Sequence, residues 1–339
     1  MSDGSKIGWT DATLNVVIGC DKVSPGCDRC YAIRTAHRMQ ANPNPKVADA
    51  YAGTERDMEW TGQVNLVEDR LHLPLRWRRP RRIFVNAQSD LFHAKVPDEF
   101  IAEVLAVAAI SSRHTFQVLT KRHGRMRSLL SSEHFVAQVT RAAGRLWESP
   151  GWHHSTAGNW PGWPLPNLHL GVSVEDQATA ALRIPALSAT PAFVRWISAE
   201  PLLGPVTIDP DHLVCGVDTP YHWCSQRCGL LSWVVVGGES GPGARPMHPR
   251  WARDLRDQCV AADVPYFFKQ WGEWAPVASN DARAADVWLS RDGGVTEVAE
   301  GCAGSVAAGA ELMRRVGKRA AGNVLDGRVW EQSSRVVLR

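Results

Sequence analysis

The residue pattern points to an α/β chain folded as a (β/α) barrel of about eight parallel strands, TIM-barrel-like and either closed or incomplete, with a small C-terminal extension. Three features carry that expectation. Apolar runs of strand length recur, helix-like segments lie between them, and polar residues gather just after the runs. In order, the candidate strands are Asn15 to Gly19, Gln63 to Val67, Arg82 to Ala87, Thr115 to Leu119, Leu168 to Val172, Phe193 to Ile197, Trp233 to Val236 and Pro265 to Phe268. Several are continuously apolar, as strands covered on both faces must be. Pro97 to Ser111 has an acidic start and an apolar body, and Pro249 to Ala262 follows a proline start, so both read as helices. An open doubly wound sheet is the alternative arrangement of such units.

The barrel is expected over residues 1–274, with loop insertions at about 148–166 and 209–229, and the extension over 275–339 packs on it. With 339 residues and 44% hydrophobic content, the chain can bury one large core. Charged residues make up 22% without long like-charge blocks, which excludes the disordered classes. The formal charge of +3 names no nucleic-acid partner by itself, so local clusters must carry that argument. No stretch reaches the ~20 apolar residues that span a bilayer, and no leader pattern opens the chain; a cytoplasmic protein with no membrane partner is expected.

Cysteine placement is the strongest chemical signal. Three of the eight cysteines lie in Cys20-Asp-Lys-Val-Ser-Pro-Gly-Cys27-Asp-Arg-Cys30-Tyr31, between a strand and a helix, where barrel enzymes place their chemistry. Three thiolates do not complete a four-ligand structural zinc site, and no histidine follows at close spacing. In a cubane cluster they leave one iron open to a substrate or cofactor. Zinc completed by a distant residue and three buried, incidental thiols are the competing readings.

The trio, with an aromatic residue directly after its last cysteine, resembles the cluster motif of the radical S-adenosylmethionine superfamily. Together with Ile7-Gly-Trp-Thr-Asp11, Phe84 to His93, Leu119-Thr-Lys-Arg122, Ser198 to Gly204 and Gly237-Gly-Glu-Ser-Gly241, it is similar to an uncharacterised bacteriophage and bacterial three-cysteine-motif family grouped with those enzymes. The likeness runs from about Ile7 to Trp274, with a further piece at Gly317 to Trp330. The spacing between the first two cysteines is longer than the superfamily's usual one. The resemblance implies that Cys20, Cys27 and Cys30 ligate a [4Fe–4S] cluster, that S-adenosylmethionine is the cofactor, and that a reducing partner protein supplies electrons. It also points to phage-related modification or repair of DNA, in the cytoplasm of the bacterial host.

Barrel logic places the remaining candidates just past strand ends. Asp90, Lys121, Glu200 and Glu239 are the catalytic candidates. Gln88, Ser89, Ser173, Glu175, Ser198, Gly237, Gly238, Glu239 and Lys269 are the cofactor-binding ones. A polar group at one strand end is commonly a cap, and Gly237-Gly-Glu reads equally as a tight turn. Arg76, Arg78, Arg79, Arg81 and Arg82 with Trp77, and Lys121, Arg122, Arg125 and Arg127, are two clusters suited to phosphates; solvated loops explain them equally well. Cys215, His222, Cys224 and Cys228 offer a second metal site, for zinc or another cluster, although their spacing matches no standard knuckle. Two rivals stand against the radical enzyme: a zinc-containing nucleic-acid-binding protein, and a barrel hydrolase or lyase using rim carboxylates with structural cysteines. The substrate and the oligomeric state are not legible in the sequence.

Overall fold

Seven parallel strands form one curled, half-barrel sheet in which spatial order follows chain order. They are Ala12–Leu14, Arg82–Val85, Thr115–Thr120, Leu168–Ser173, Val194–Ala199, Trp233–Gly237 and Tyr266–Gln270. The computed structural model describes residues 4–5, 7–148, 160–213, 230–298 and 307–334. Because the strand order never reverses, the sheet is wound in one direction, and the doubly wound alternative is excluded.

The expected barrel of about eight strands, closed or incomplete, is an unclosed sheet of seven, and two of the candidate strands are corrected. The first sheet strand is Ala12–Leu14, earlier than Asn15 to Gly19, and it pairs in parallel with Arg82–Val85. Gln63 to Val67 never enters the main sheet. Its Asn65–Leu66 pairs antiparallel with Val17–Ile18 as a separate ribbon. Polar and apolar residues alternate in that segment, whereas the sheet strands need apolar character on both faces.

One face of the sheet packs on helices. Ile83, Val85, Val118, Leu170, Val172, Ile197, Val234 and Val236 join a core with the helix Asp98–Ile110 and its neighbours. Asp98 and Glu99 open that helix with negative charge against the positive end of its dipole. Helix Gln177–Ser188 starts on a capping box, in which Asp176 Oδ1 accepts from Thr179 N at 2.8 Å.

The concave face carries an aromatic plug. Trp9, just ahead of the first strand, packs edge-on against Phe84, Trp196 and Trp233 at centroid distances of 4.8, 5.1 and 5.9 Å. Register sets the layers: Leu119, Gly171, Trp196 and Trp233 lie side by side, with Ser173, Ser198, Val235 and Phe267 in the next layer toward the C-terminal rim. Gly171 makes room for the indole, since a Cβ there would sit 2.5 Å from Trp196. Outside the last strand, Phe268 N donates to Trp330 O at 2.8 Å and Phe267 bridges Glu331 antiparallel, so the C-terminal segment covers that edge.

The expected extension, weak in strand patterning, is a four-stranded antiparallel sheet in the order Trp274–Pro276, Glu311–Arg315, Val287–Leu289 and Val295–Glu297. It is tied to the half-barrel by Trp251 Nε1 donating to Arg291 O at 2.7 Å. Among the described residues no helix is long and apolar enough to cross a membrane.

His169 lies in the concave layer beside Gln117, buried, with no hydrogen-bond partner for its Nε2 among the described residues. Burial pushes its pKa down to about 4. In the unfolded chain it titrates near ~6.5, so the unfolded state takes up the proton first as pH falls. The stability held by the neutral imidazole is therefore complete above ~6.5 and is lost progressively down to about 4. Urea unfolding across that window should show a decline of which His169 contributes on the order of 3 kcal/mol. A His169→Leu chain should show a shallower pH dependence; an unchanged slope would refute the assignment.

Candidate active site at the carboxy-terminal rim

The loop between the first strand and helix Tyr31–Gln40 carries Cys20, Cys27 and Cys30 over the C-terminal ends of the strands. Two anchors hold it. Ser24 Oγ donates to Glu175 Oε1 at 3.0 Å, and Arg245 Nη2 donates to Pro25 O at 2.9 Å. Gly26 presses on Glu175 so closely that a Cβ would come within 2.5 Å of its Cγ, so only glycine fits there. Tyr31 Oη donates to Ala87 O, joining the helix start to the segment after the second strand.

Glu175 is the centre of the first anchor. It is fully buried and bound by Lys121 Nζ and by Arg183 Nη1, which lies 3.1 Å from each carboxylate oxygen. Arg183 also donates to Ser173 O at 2.9 Å. In the second anchor, buried Glu239 takes a bidentate contact from Arg245 at 2.9 and 2.6 Å, and Arg29 reaches it at 3.6 Å. Neither Arg183 nor Arg245 was among the expected site residues. A charged residue inside the apolar run Ala180-Ala-Leu-Arg-Ile-Pro-Ala-Leu187 is the one sequence signal that could have marked Arg183.

The thiols all face this rim. Cys20 Sγ lies 3.6 Å from Arg122 Nη1, and Cys27 Sγ lies 3.9 Å from Ser24 Oγ. Cys20, Cys27 and Cys30 are free of disulfides. Burial pushes the Cys20 thiol up to about 12, with Arg122 pulling in the opposite direction. Cys30 is raised too, first by burial and further by Cys27, while Lys121 lowers it. As packed, the side chains do not close on one point: among the described residues no group of three or more His, Cys, Asp or Glu is arranged to hold a metal ion. The donor chemistry does fit a thiophilic centre. Three sulfurs stand in one short loop beside Lys121 and Arg122, cations able to offset the charge of a thiolate-ligated cluster.

The other expected site residues divide by what they touch. Asp90 accepts from Thr120 Oγ1 at 2.7 Å, Lys121 N at 3.0 Å, Phe92 N at 2.9 Å and Arg122 Nη1 at 3.2 Å, which locks the second and third strand ends together. Glu200 and Lys269 form a pair with Nζ 2.8 Å from both oxygens, extended by Gln270 to Ser240. Ser173 and Ser198 are buried neighbours in register on the concave face. Gln88 accepts from Tyr51 Oη, and Ser89 Oγ donates to Val17 O at 2.6 Å, so both brace the loop after the second strand. Gly237 lies against Glu200, and Gly238 packs on backbone: a Cβ on Gly238 would fall 1.9 Å from Trp271 O. That contact accounts for the second glycine as a close crossing of chain.

The two basic clusters lie at opposite ends of the sheet. Lys121 and Arg122 belong to the rim, and Arg125 is engaged by His93 O, Val96 O and Asp98. Arg76 to Arg82 leads into the start of the second strand and therefore occupies the N-terminal face. Cys215, His222, Cys224 and Cys228, the expected second metal site, lie outside the described residues.

The family model described as "Protein of unknown function (DUF5131)" matches residues 4–334. No curated protein and no solved structure matches the chain.

Proposed function

We propose that this chain, which belongs to the DUF5131 family, is a radical S-adenosylmethionine-type enzyme acting on a nucleic acid or nucleotide. The observation that supports this reading most is the three-cysteine loop, anchored through Ser24 to Glu175 and through Pro25 to Arg245 at the C-terminal rim of a curled parallel sheet. Cys20, Cys27 and Cys30 are the residues that would hold a [4Fe–4S] cluster. When bound, such a cluster supplies the electron that cleaves S-adenosylmethionine and starts hydrogen abstraction.

The chain's own side chains then have separate tasks. Lys121 and Arg122 place positive charge beside the sulfurs, Glu175 and Glu239 keep the loop in register with the strand ends, and Ser173 and Ser198 offer hydroxyls above the aromatic plug. The plug fills the space below them, so substrate and cofactor enter from the rim. A hydrolase reading has less support, because Asp90, Glu175, Glu200 and Glu239 are each tied to cations, which leaves none of these four free as a general base.

Anaerobic reconstitution with ferrous iron and sulfide tests the proposal. Iron and sulfide in equal amounts, and reductant-dependent formation of 5′-deoxyadenosine, are expected. Zinc without sulfide supports the zinc-protein rival, and a loaded cluster that makes no deoxyadenosine overturns the radical reading.

A further inference from the structure

In the rim cluster Lys121, Arg122 and Arg125 are neutralised within the fold and Arg127 is exposed; at the opposite end Arg78 and Arg79 stand exposed side by side. Lys121 and Arg122 are paired with Glu175, Asp90 and Asp21, and Arg125 with Asp98. At the N-terminal face, Arg82 is matched by Asp11 at 2.8 Å. Arg76, Arg78 and Arg79 are exposed, and among the described residues neither Arg78 nor Arg79 makes an ion pair or hydrogen bond.

This arginine segment is held firmly. Trp77 is half-buried against the main core, and Arg81 stacks over its ring at 4.8 Å. Arg113 Nη1 donates to Trp77 O at 3.3 Å, His114 Nε2 hydrogen-bonds Pro74 O at 3.1 Å, and Thr115 N donates to Arg81 O at 2.9 Å. Pro74 and Pro80 restrict the backbone further. Guanidinium groups on a pre-set backbone lose less freedom on meeting a ligand, and planar forks match phosphate oxygens in pairs.

We propose that the Arg76–Arg79 segment is an anchoring site for the phosphate backbone of a nucleic acid, on the face opposite the cysteine loop. It deepens the substrate half of the function proposed above and rests on that reading for the class of ligand. A strand held there must wrap around the side of the half-barrel to present a nucleotide at the rim, or the site binds a separate stretch of the same molecule.

Fluorescence anisotropy of a fluorescein-labelled DNA duplex, titrated with the full chain at several salt concentrations, tests it. Arg78→Glu/Arg79→Glu should weaken binding by about tenfold or more and make the log–log salt slope shallower by about 2. Arg78→Gln/Arg79→Gln should do the same in smaller measure, and both exposed changes should leave the circular dichroism spectrum and thermal midpoint unaltered. Binding that is absent in the parent chain, or indifferent to the double substitutions, overturns the site. Polyglutamate displacing the labelled duplex as well as unlabelled DNA does would replace a nucleic acid by an acidic protein and also overturn it. The titration needs neither iron nor S-adenosylmethionine, so its failure is read separately from failure of the radical chemistry.

Discussion

Glu175→Ala is expected to destabilise the folded chain by about 3–5 kcal/mol, the cost of removing one partner from a buried ion pair. Glu175 is fully buried, and the Arg183 side chain that loses it is 5% exposed. The guanidinium would keep its bond to Ser173 O but face no counter-charge in a site closed to water. Lys121, 19% exposed, can turn partly toward solvent and adds less. Glu175→Gln retains the volume and two hydrogen-bonding atoms, so an intermediate loss is expected. Urea denaturation reads both; a loss under about 1 kcal/mol for the alanine chain would mean that Arg183 finds another partner or is hydrated.

Cys20→Ala, Cys27→Ala and Cys30→Ala should each lower iron retention after reconstitution by about a hundredfold or more, beyond what loss of a supporting partner produces. Each removes one of only three sulfurs, and a three-thiolate site has none to spare. Stability should change little, since each truncation removes one small atom from a loop fastened elsewhere, at Ser24 and Pro25. Cys259 provides the contrast. It is buried in helix Pro249–Ala261, away from the rim, and Cys259→Ala should leave iron content unchanged. Equal iron loss on all four substitutions would attribute the effect to folding and sink the assignment of the loop as a metal site.

What the residues announced in advance was what local pattern can carry. Trp233–Gly237 and Leu168–Ser173 are apolar throughout because they are covered on both sides, and that character is visible along the chain. The cysteine loop was legible for the same reason, as its three thiols are close in sequence and follow a strand. Ala12–Leu14 was missed because three residues, one of them threonine, give too short a pattern beside the more apolar Val16-Val17-Ile18. The anchors were missed because they are distant partnerships: Ser24 with Glu175, and Pro25 with Arg245, join positions that only folding brings together. Gly26 could be seen as a turn glycine, but the carboxylate that forbids a side chain there is far away in sequence. The arginine clusters looked alike as strings, and only the sheet direction separates them into opposite ends of the molecule.

The indoles of Trp9, Trp196 and Trp233 stop the bore of the half-barrel. A molecule arriving above them can descend no further between the strands, so whatever binds there rests on the indoles.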